Sequence, residues 1–91
     1  MIRMNVIWVT DARALPSYRL WVRFSDGEEG EIGLEQFIFR DVRPIVAALR
    51  DPAAFARVRV QSDTVTWDNG FDLAPEFLYE QRRRRAAVAS S

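Results

Sequence analysis

Apolar and polar residues alternate strictly in two neighbouring segments of the chain, residues 18–24 and 30–34. A period of two is typical of β-strands that have one buried and one exposed face. Asp26 and Gly27 lie between the segments and favour a turn, so the pattern predicts a hairpin. The residues expected on its buried face are Tyr18, Leu20, Val22, Phe24, Gly30, Ile32 and Leu34.

The register of this hairpin depends on which residues share a face of the sheet. A two-residue loop would set apolar residues opposite glutamates, whereas a three-residue loop, Asp26–Glu28, pairs apolar with apolar residues. We therefore predict the three-residue loop, with Arg23 opposite Glu31. In this register Trp21 would cover the backbone of Gly33.

A first strand and a helical region are predicted on either side of this hairpin. Val6–Val9 is rich in β-favouring residues and precedes the turn at Pro16, so it is expected to pair with the second strand and complete a three-stranded antiparallel meander. After the meander, apolar residues recur at helical spacing, first in one short turn and then in a helix that ends before Asp51 and Pro52. The apolar residues of these two pieces are Leu34, Phe37 and Ile38, then Val42, Ile45, Val46 and Leu49.

Residues 58–67 predict a second hairpin, whose loop has an even number of residues where the first hairpin's loop has an odd number. A two-residue loop, Ser62–Asp63, pairs Val60 with Val65 and keeps the valines on one face. The last helix is expected to begin near Pro75. The fold class is therefore α+β in the order β-β-β-α-β-β-α, with one small domain over residues 1–85 and a frayed C-terminal tail over 86–91.

The junction between the second hairpin and the last helix is the most patterned part of the chain. Trp67 is expected to close the hairpin onto the core, and Asn69 and Gly70 are typical of a chain reversal. The carboxylate of Asp72 is expected to cap the helix, and Pro75 suits its first turn, where no N–H is needed. We interpret this junction mainly as a structural corner.

Two functional interpretations of the corner stay open. Phe71, Asp72 and Tyr79 would form a docking surface for a partner if they lie on its exposed side, because amphipathic aromatic residues are good interface anchors. Alternatively, nearby carboxylates would serve as an acid pair or bind Mg²⁺ or Ca²⁺, although Asp-Asn-Gly is more typical of a solvated turn. These carboxylates are Asp68, Asp72, Glu76 and Glu80.

The composition excludes most enzyme classes. The chain of 91 residues contains no histidine and no cysteine, which removes the common zinc sites, thiolate catalysis and Ser-His-Asp triads. Its four glycines follow no phosphate-binding pattern. We therefore expect no enzymatic activity, no cofactor and no metal. Without a signal segment, a membrane span or cysteines, the chain is expected to be cytoplasmic.

Charge is balanced overall but unevenly distributed. The chain has 13 arginines, no lysine and 13 acidic residues, and four of the arginines form the run Arg82, Arg83, Arg84 and Arg85. The part before this run is acidic. The run would complement the dipole of the last helix and pair with Glu76 and Glu80, or it would bind nucleic acid.

Four groups of residues follow one another along most of the chain. They are Leu20-x-Val22-x-Phe24-x-Asp26-Gly27 with Gly30, Leu49-x-Asp51 with Phe55, Val58-x-Val60, and Thr66-Trp67-x-Asn69-Gly70-x-Asp72-Leu73-Ala74-Pro75 with Leu78-Tyr79-Glu80. Their order resembles a small bacterial family known as domain of unknown function 2442, whose members usually carry a proline where this chain has Asp68. The resemblance implies a compact α+β domain that is often encoded beside small toxin-like or other uncharacterised proteins and is sometimes joined to a helix-turn-helix.

The leading hypothesis for function is a non-enzymatic protein-interaction module, antitoxin-like or regulatory, in a bacterial two-gene system. Its partner would be another small protein, encoded by a neighbouring gene, and self-association is also open. The alternative is a nucleic-acid-binding regulator that acts through the arginine run. Membrane binding is not expected.

Overall fold

Within residues 6–89, the fold consists of two small antiparallel sheets, three short helices and one long C-terminal helix. The structure is a computed structural model that describes the backbone of residues 6–89 and the side chains of residues 6–82. This architecture confirms the predicted α+β class and the order of its main elements. The strands are β1 (Val9–Leu15), β2 (Arg19–Phe24), β3 (Glu29–Gly33), β4 (Arg59–Gln61), β5 (Thr64–Thr66) and β6 (Asp72–Leu73), and the helices are α1 (Glu35–Arg40), α2 (Pro44–Ala47), α3 (Pro52–Phe55) and α4 (Pro75–Ala89).

The first sheet is the predicted meander, with the strand order β1-β2-β3. Its first strand begins at Val9, so the prediction of a strand over Val6–Val9 is wrong in its bounds. Residues 10–15 have only weak β-propensity, and the strand forms because β2 supplies a pairing partner along its whole length. A bulge at Thr10 shifts the register between Val9 and Asp11.

The loop between β2 and β3 has three residues, as predicted, but it is Ser25–Gly27 rather than Asp26–Glu28. The N–H of Phe24 donates to the carbonyl of Glu28 at 2.8 Å, which closes the hairpin one residue earlier than expected. Gly27 has a φ of +90° in the third loop position. A three-residue loop requires a left-handed residue there, and glycine adopts that conformation at no steric cost.

This shift corrects the predicted cross-strand pairs of the first hairpin. Arg23 lies opposite Glu29 instead of Glu31, and Trp21 lies opposite Glu31 instead of Gly33. The indole of Trp21 therefore does not cover a glycine. The prediction of an odd number of loop residues was right, and this number decides which side chains share a face. The buried face of the hairpin is therefore the expected one, with Leu20, Val22, Phe24, Ile32 and Leu34 all buried.

The second hairpin has the predicted register, with Val60 opposite Val65 and a two-residue loop. Ser62 and Asp63 have φ values of 54° and 67°, which is the left-handed pair that a type I′ turn requires. The sequence pattern did not predict β6, a two-residue strand that pairs with β5 on its other side. The second sheet therefore has the order β4-β5-β6.

The helical region between the sheets is broken into more pieces than the sequence predicted. Val42 was expected inside a helix, but it lies in the loop before α2 and is exposed. A 3₁₀ turn, Ala48–Arg50, follows α2, and α3 was not predicted. The guanidinium of Arg50 donates to the carbonyls of Ile38, Phe39 and Asp41 and so satisfies the C-terminal end of α1.

The helix caps differ from those predicted. The first backbone bond of α4 runs from the N–H of Leu78 to the carbonyl of Ala74, so Asp72 lies two residues too early to cap the helix. Asp72 belongs to β6, opposite Thr66. A carboxylate cap is present instead at α3, where Asp51 accepts from the N–H of Ala53 at 3.0 Å.

The long helix α4 runs to Ala89, which is four residues into the segment 86–91 that the sequence predicted as a frayed tail. Ser90 and Ser91 lie outside the described residues. Near its beginning, α4 buries Leu78 in the core and packs along β3. Within the part of the chain that the structure describes, no helix is long and apolar enough to cross a membrane.

The cap geometry predicts different effects of substitution at Asp51 and Asp72, although each aspartate lies shortly before a proline that begins a helix. Asp51→Ala should lower the free energy of unfolding by about 0.5–2 kcal/mol, because the N–H of Ala53 loses its partner. Asp72→Ala should change it by less than about 0.5 kcal/mol, because Asp72 is an exposed strand residue. Urea denaturation followed by circular dichroism measures both, and the reverse ranking would contradict this assignment of caps.

Candidate binding surface

Trp67 lies at the centre of the corner that the sequence analysis singled out. Its side chain is only 1% exposed, and its indole N–H donates to the carbonyl of Phe55 at 2.9 Å. The indole packs against the rings of Phe55 and Phe71, with centroids 5.8 and 5.9 Å away. A buried indole with its N–H satisfied joins the end of β5 to α3 and to the turn that follows.

The turn after Trp67 is fixed by its own hydrogen bonds. The N–H of Trp67 donates to the carbonyl of Phe71, and the N–H of Gly70 donates to the carbonyl of Trp67, both at 2.9 Å. The amide of Asn69 accepts from the N–H of Phe71 and donates to the carbonyl of Ile45, which ties the turn to α2. Gly70 has a φ of +89°, and Pro75 follows as the first residue of α4.

The three residues of the predicted docking surface do not share one exposed face. Phe71 is 8% exposed and packs inside the corner, which corrects the expectation that it lies on the exposed side. Tyr79 is half-buried, with its ring 5.0 Å from that of Phe24. Asp72 is exposed. Neither aromatic residue therefore presents its ring freely to a partner.

The hydroxyl of Tyr79 links α4 to the loop of the first hairpin. It donates to Oδ2 of Asp26 at 2.7 Å, across 53 residues of sequence. The pKa of Asp26 is lowered, first by the backbone N–H of Glu28 and then by this hydroxyl. The pKa of Tyr79 is raised because its proton is held by the carboxylate.

Arg82, the first arginine of the run, belongs to the same contact. Its side chain is 15% exposed and pairs with Glu28 at 3.1 Å. The guanidinium lies 4.6 Å from the ring centroid of Tyr79, and the aliphatic stem covers Gly30 so closely that a Cβ there would lie 2.6 Å from Cγ. Arg82 is therefore held inside the domain. The side chains of Arg83, Arg84 and Arg85 lie outside the described residues.

The carboxylates near the corner are separated rather than clustered. Asp68 pairs with Arg59 at 2.5 Å and with Arg57 at 3.8 Å. Asp72, Glu76 and Glu80 are exposed. Among residues 6–82, no group of three or more carboxylates is arranged to hold a metal ion.

The outer face of the meander carries a tryptophan between arginines. The guanidiniums of Arg13 and Arg23 lie 5.4 and 5.3 Å from the ring centroid of Trp21, and the indole N–H donates to Glu29 at 3.1 Å. Arg23 also contacts Glu29, and on the same face Arg19 pairs with Glu31 at 2.7 Å. Most of the positive charge on this face is therefore balanced by neighbouring carboxylates.

Two adjoining recesses form a groove beside α1 and α4. One has a volume of about 450 Å³ and contains the rings of Phe37 and Phe77. The other has a volume of about 430 Å³ and is lined by more polar side chains. Because both recesses are lined by Gly33, Gln36 and Gln81, they form one elongated groove at the C-terminal end of β3.

An exposed apolar segment, residues 39–45, adjoins this groove. Phe39, Val42 and Ile45 are 49%, 91% and 38% exposed. The helical spacing of Val42 and Ile45 led to the wrong expectation that both would be buried, and the proline of α2 was the signal that the helix begins only at residue 44. At the centre of the segment the guanidinium of Arg43 donates to the carboxylate of Asp41, and these hydrogen bonds lower the pKa of Asp41 to about 2.

The comparisons with known proteins identify the family of this fold. A family profile described as "Protein of unknown function (DUF2442)" matches residues 9–84. The chain belongs to the DUF2442 family. The match includes every strand of the domain, the first three helices and the beginning of α4.

A solved structure has the same fold as this DUF2442 domain. It is the crystal structure of "Putative DNA Binding Protein NE0471" from Nitrosomonas europaea ATCC 19718, with a TM-score of 0.77 and 27% sequence identity. The similarity covers 96% of this chain and 56% of that protein, so the DUF2442 chain spans little more than half the length of its relative. Comparison with curated proteins gives no match.

The geometry of the corner predicts that Trp67 is essential for stability. Trp67→Ala should lower the free energy of unfolding by about 3–5 kcal/mol, because it leaves a cavity between two buried aromatic rings. A loss of this size is a large part of the total stability of a small domain, which is about 5–15 kcal/mol. Trp8→Ala is the control, because Trp8 is exposed and should contribute less than about 1 kcal/mol. Equal stability of the two variants in urea denaturation would contradict the structural role of Trp67.

Proposed function

We propose that this DUF2442 domain is a non-enzymatic module that binds another protein through the exposed apolar segment, residues 39–45. The observation that carries the proposal is that Val42, Phe39 and Ile45 are left exposed within seven consecutive residues. Single exposed apolar residues are common on soluble proteins, but grouped ones usually mark an interaction site.

The surroundings of the segment suit a protein surface. Arg40 and Asp41 belong both to the segment and to the larger recess of the groove, so the segment adjoins a concave region that is also lined by Phe37 and Phe77. An apolar centre with arginines at its border is typical of protein interfaces. A partner that carries apolar residues and carboxylates would match this surface better than a small molecule.

The chemistry of the chain supports a binding role over catalysis. Histidine and cysteine are absent from the sequence, and the carboxylates of the corner are paired with arginines or exposed. A general acid or base needs a perturbed pKa in a pocket, and the one carboxylate whose pKa falls to about 2, Asp41, is fixed by Arg43. In this proposal the partner is a small protein encoded by a neighbouring gene, and the domain is its antitoxin-like or regulatory counterpart.

Co-expression with the product of the neighbouring gene tests this proposal. Val42→Glu should abolish co-purification while leaving the melting temperature nearly unchanged, because Val42 makes almost no contact within the domain. Val6→Glu is the matched control, because Val6 is also an exposed valine but lies outside the segment. Co-purification that survives Val42→Glu, or is lost equally in both variants, would overturn the role of the segment.

Nucleic-acid binding is a second candidate, and the name of the Nitrosomonas europaea relative favours it. Residues 6–82 contain nine arginines and thirteen acidic residues, so this part of the chain repels phosphate. Binding would therefore depend on Arg83, Arg84 and Arg85, since Arg82 is held by Glu28 and Tyr79.

Filter binding to duplex DNA at two salt concentrations tests this second candidate. If it holds, affinity should fall steeply with salt, and replacing the three arginines Arg83–Arg85 by alanine should reduce both the affinity and the salt dependence. Arg57→Ala is a control, because this exposed arginine lies outside the run and pairs with Asp68. Binding that is absent, or that is unaffected by the triple substitution, would exclude this candidate.

A further inference from the structure

The hydrogen-bond pattern of β3 shows which of its backbone groups face away from the sheet. The N–H of Phe24 donates to the carbonyl of Glu28 at 2.8 Å, and the N–H of Leu34 donates to the carbonyl of Tyr18 at 2.9 Å. Pairs that exchange hydrogen bonds alternate along an antiparallel ladder, so the even-numbered residues of β3 bond to β2. The N–H and C=O groups of Glu29, Glu31 and Gly33 therefore point to the opposite edge.

This edge of β3 is unpaired within the described part of the chain. The meander has the order β1-β2-β3, so β3 is an outer strand, and Glu29, Glu31 and Gly33 are exposed. Helix α4 packs against the strand, and its Arg82 contacts β3 at Gly30. This contact lies on the face of the sheet that carries the core side chains, not at the outer edge of the strand. The other outer strand is more protected, because the N–H of Val9 donates to the backbone carbonyl of Asp63 and β1 packs beside β4.

Unpaired edges are usually blocked in soluble proteins. The common devices are a proline, a bulge, an inward-pointing charge, charged side chains along a short edge or a covering helix. Strand β3 has no proline, no bulge and no inward-pointing charge along its five residues, and the charges that it carries are those of Glu29 and Glu31. Its two glutamates lie on the outer face, where Arg19 and Arg23 hold them beside β2. The backbone of the edge is therefore left accessible.

We propose that the β3 edge binds an extended segment of a partner protein, which adds as a fourth strand to the meander. Only an extended backbone matches the alternating donors and acceptors of Glu29, Glu31 and Gly33. The groove continues from this site, since Gly33 lines both of its recesses together with Gln36 and Gln81. Residues that follow the added strand would enter the groove. This site is distinct from the exposed apolar segment and does not depend on it.

Charge determines the kind of segment that fits. Residues of an added strand that lie beside Glu29 and Glu31 share the outer face with them, so arginine, lysine or threonine is favoured there and carboxylates are disfavoured. Antiparallel pairing of two β3 strands about Glu31 would place the two Glu31 carboxylates opposite each other, so a second copy is disfavoured in that register. The occupant is therefore a segment of a different protein with basic or hydroxyl side chains at alternate positions.

Hydrogen exchange with a synthetic strand tests this proposal. The probe is an acetylated and amidated heptapeptide of alternating threonine or arginine and valine, and amide exchange is followed by NMR. On binding, the amides of Glu29, Glu31 and Gly33 should become protected about tenfold or more, while those of Gly30 and Ile32, which already bond to β2, should change little. Slow exchange of the three outward amides in the free monomer would show that the edge is already covered and would overturn the proposal.

Two N-methylated forms of the peptide provide a matched control, one methylated at the odd and one at the even positions. Only one set of peptide N–H groups faces β3, so exactly one form should lose affinity, by about tenfold or more. Equal binding of both forms, or protection without the alternation along β3, would rule out strand addition. Protection that grows with protein concentration in the absence of peptide would identify a second copy as the occupant and overturn the proposed partner.

Substitution at Glu31 tests the same edge from the protein side. Glu31→Pro removes an N–H that β2 does not use, so the domain should stay folded by circular dichroism while peptide affinity falls about tenfold. Glu31→Thr loses the same carboxylate and its contact with Arg19 but keeps the N–H, so it should bind within about threefold of the unmodified chain. Equal affinity of the two variants would contradict the proposal. A negative result for strand addition at β3 would not bear on the proposed role of residues 39–45, and a negative result for that segment would not bear on the β3 edge.

Discussion

The burial of the Trp67 indole is the contact on which the second half of the fold depends. The ring lies between Phe55 and Phe71, and its N–H satisfies the carbonyl of Phe55 at the end of α3. A small domain has only one core, and a side chain of this size connects several of its elements at once. The hairpin β4-β5, the short helix α3 and the turn that leads to β6 therefore meet at one buried residue. The amide of Asn69 extends the same junction to α2.

Because the corner and its neighbours are used for packing, the residues that look most functional in the sequence contribute to structure. Phe71 is buried against Trp67, and Tyr79 and Arg82 fasten α4 to the loop of the first hairpin through Asp26 and Glu28. These polar contacts join residues more than fifty positions apart, so they fix the helix against the meander. An amphipathic aromatic residue or an arginine is as useful for such a contact as for a partner. Candidate binding surfaces therefore lie elsewhere on the domain.

Local rules of sequence explain much of this fold, and contacts between distant segments explain the rest. Whether each hairpin loop has an odd or an even number of residues follows from the alternation of apolar residues. The second register was predicted in full because a two-residue loop leaves no choice of which residues form the turn. The first register was displaced because the left-handed position belongs to Gly27, a requirement of turn geometry that face matching does not contain. Val42 was placed in the core because its spacing fits a helix, and only the position of Pro44 shows that the helix starts later. The capping of α1 by Arg50 joins two separate elements and has no local signal.

The exposed apolar segment and the unpaired edge of β3 differ in the physical interaction that they offer. Residues 39–45 expose apolar side chains, and burial of apolar area is favourable in any orientation, so in the proposed function this segment would supply affinity without fixing how a partner lies. The β3 edge exposes N–H and C=O groups at fixed intervals, and hydrogen bonds are directional, so it fixes the direction and register of a bound strand while adding modest free energy. The groove at Gly33, Gln36 and Gln81 begins at the edge, and its larger recess reaches Arg40 and Asp41 of the apolar segment. A single protein that crosses the groove would therefore gain orientation from one end and affinity from the other, and neither end requires a catalytic residue.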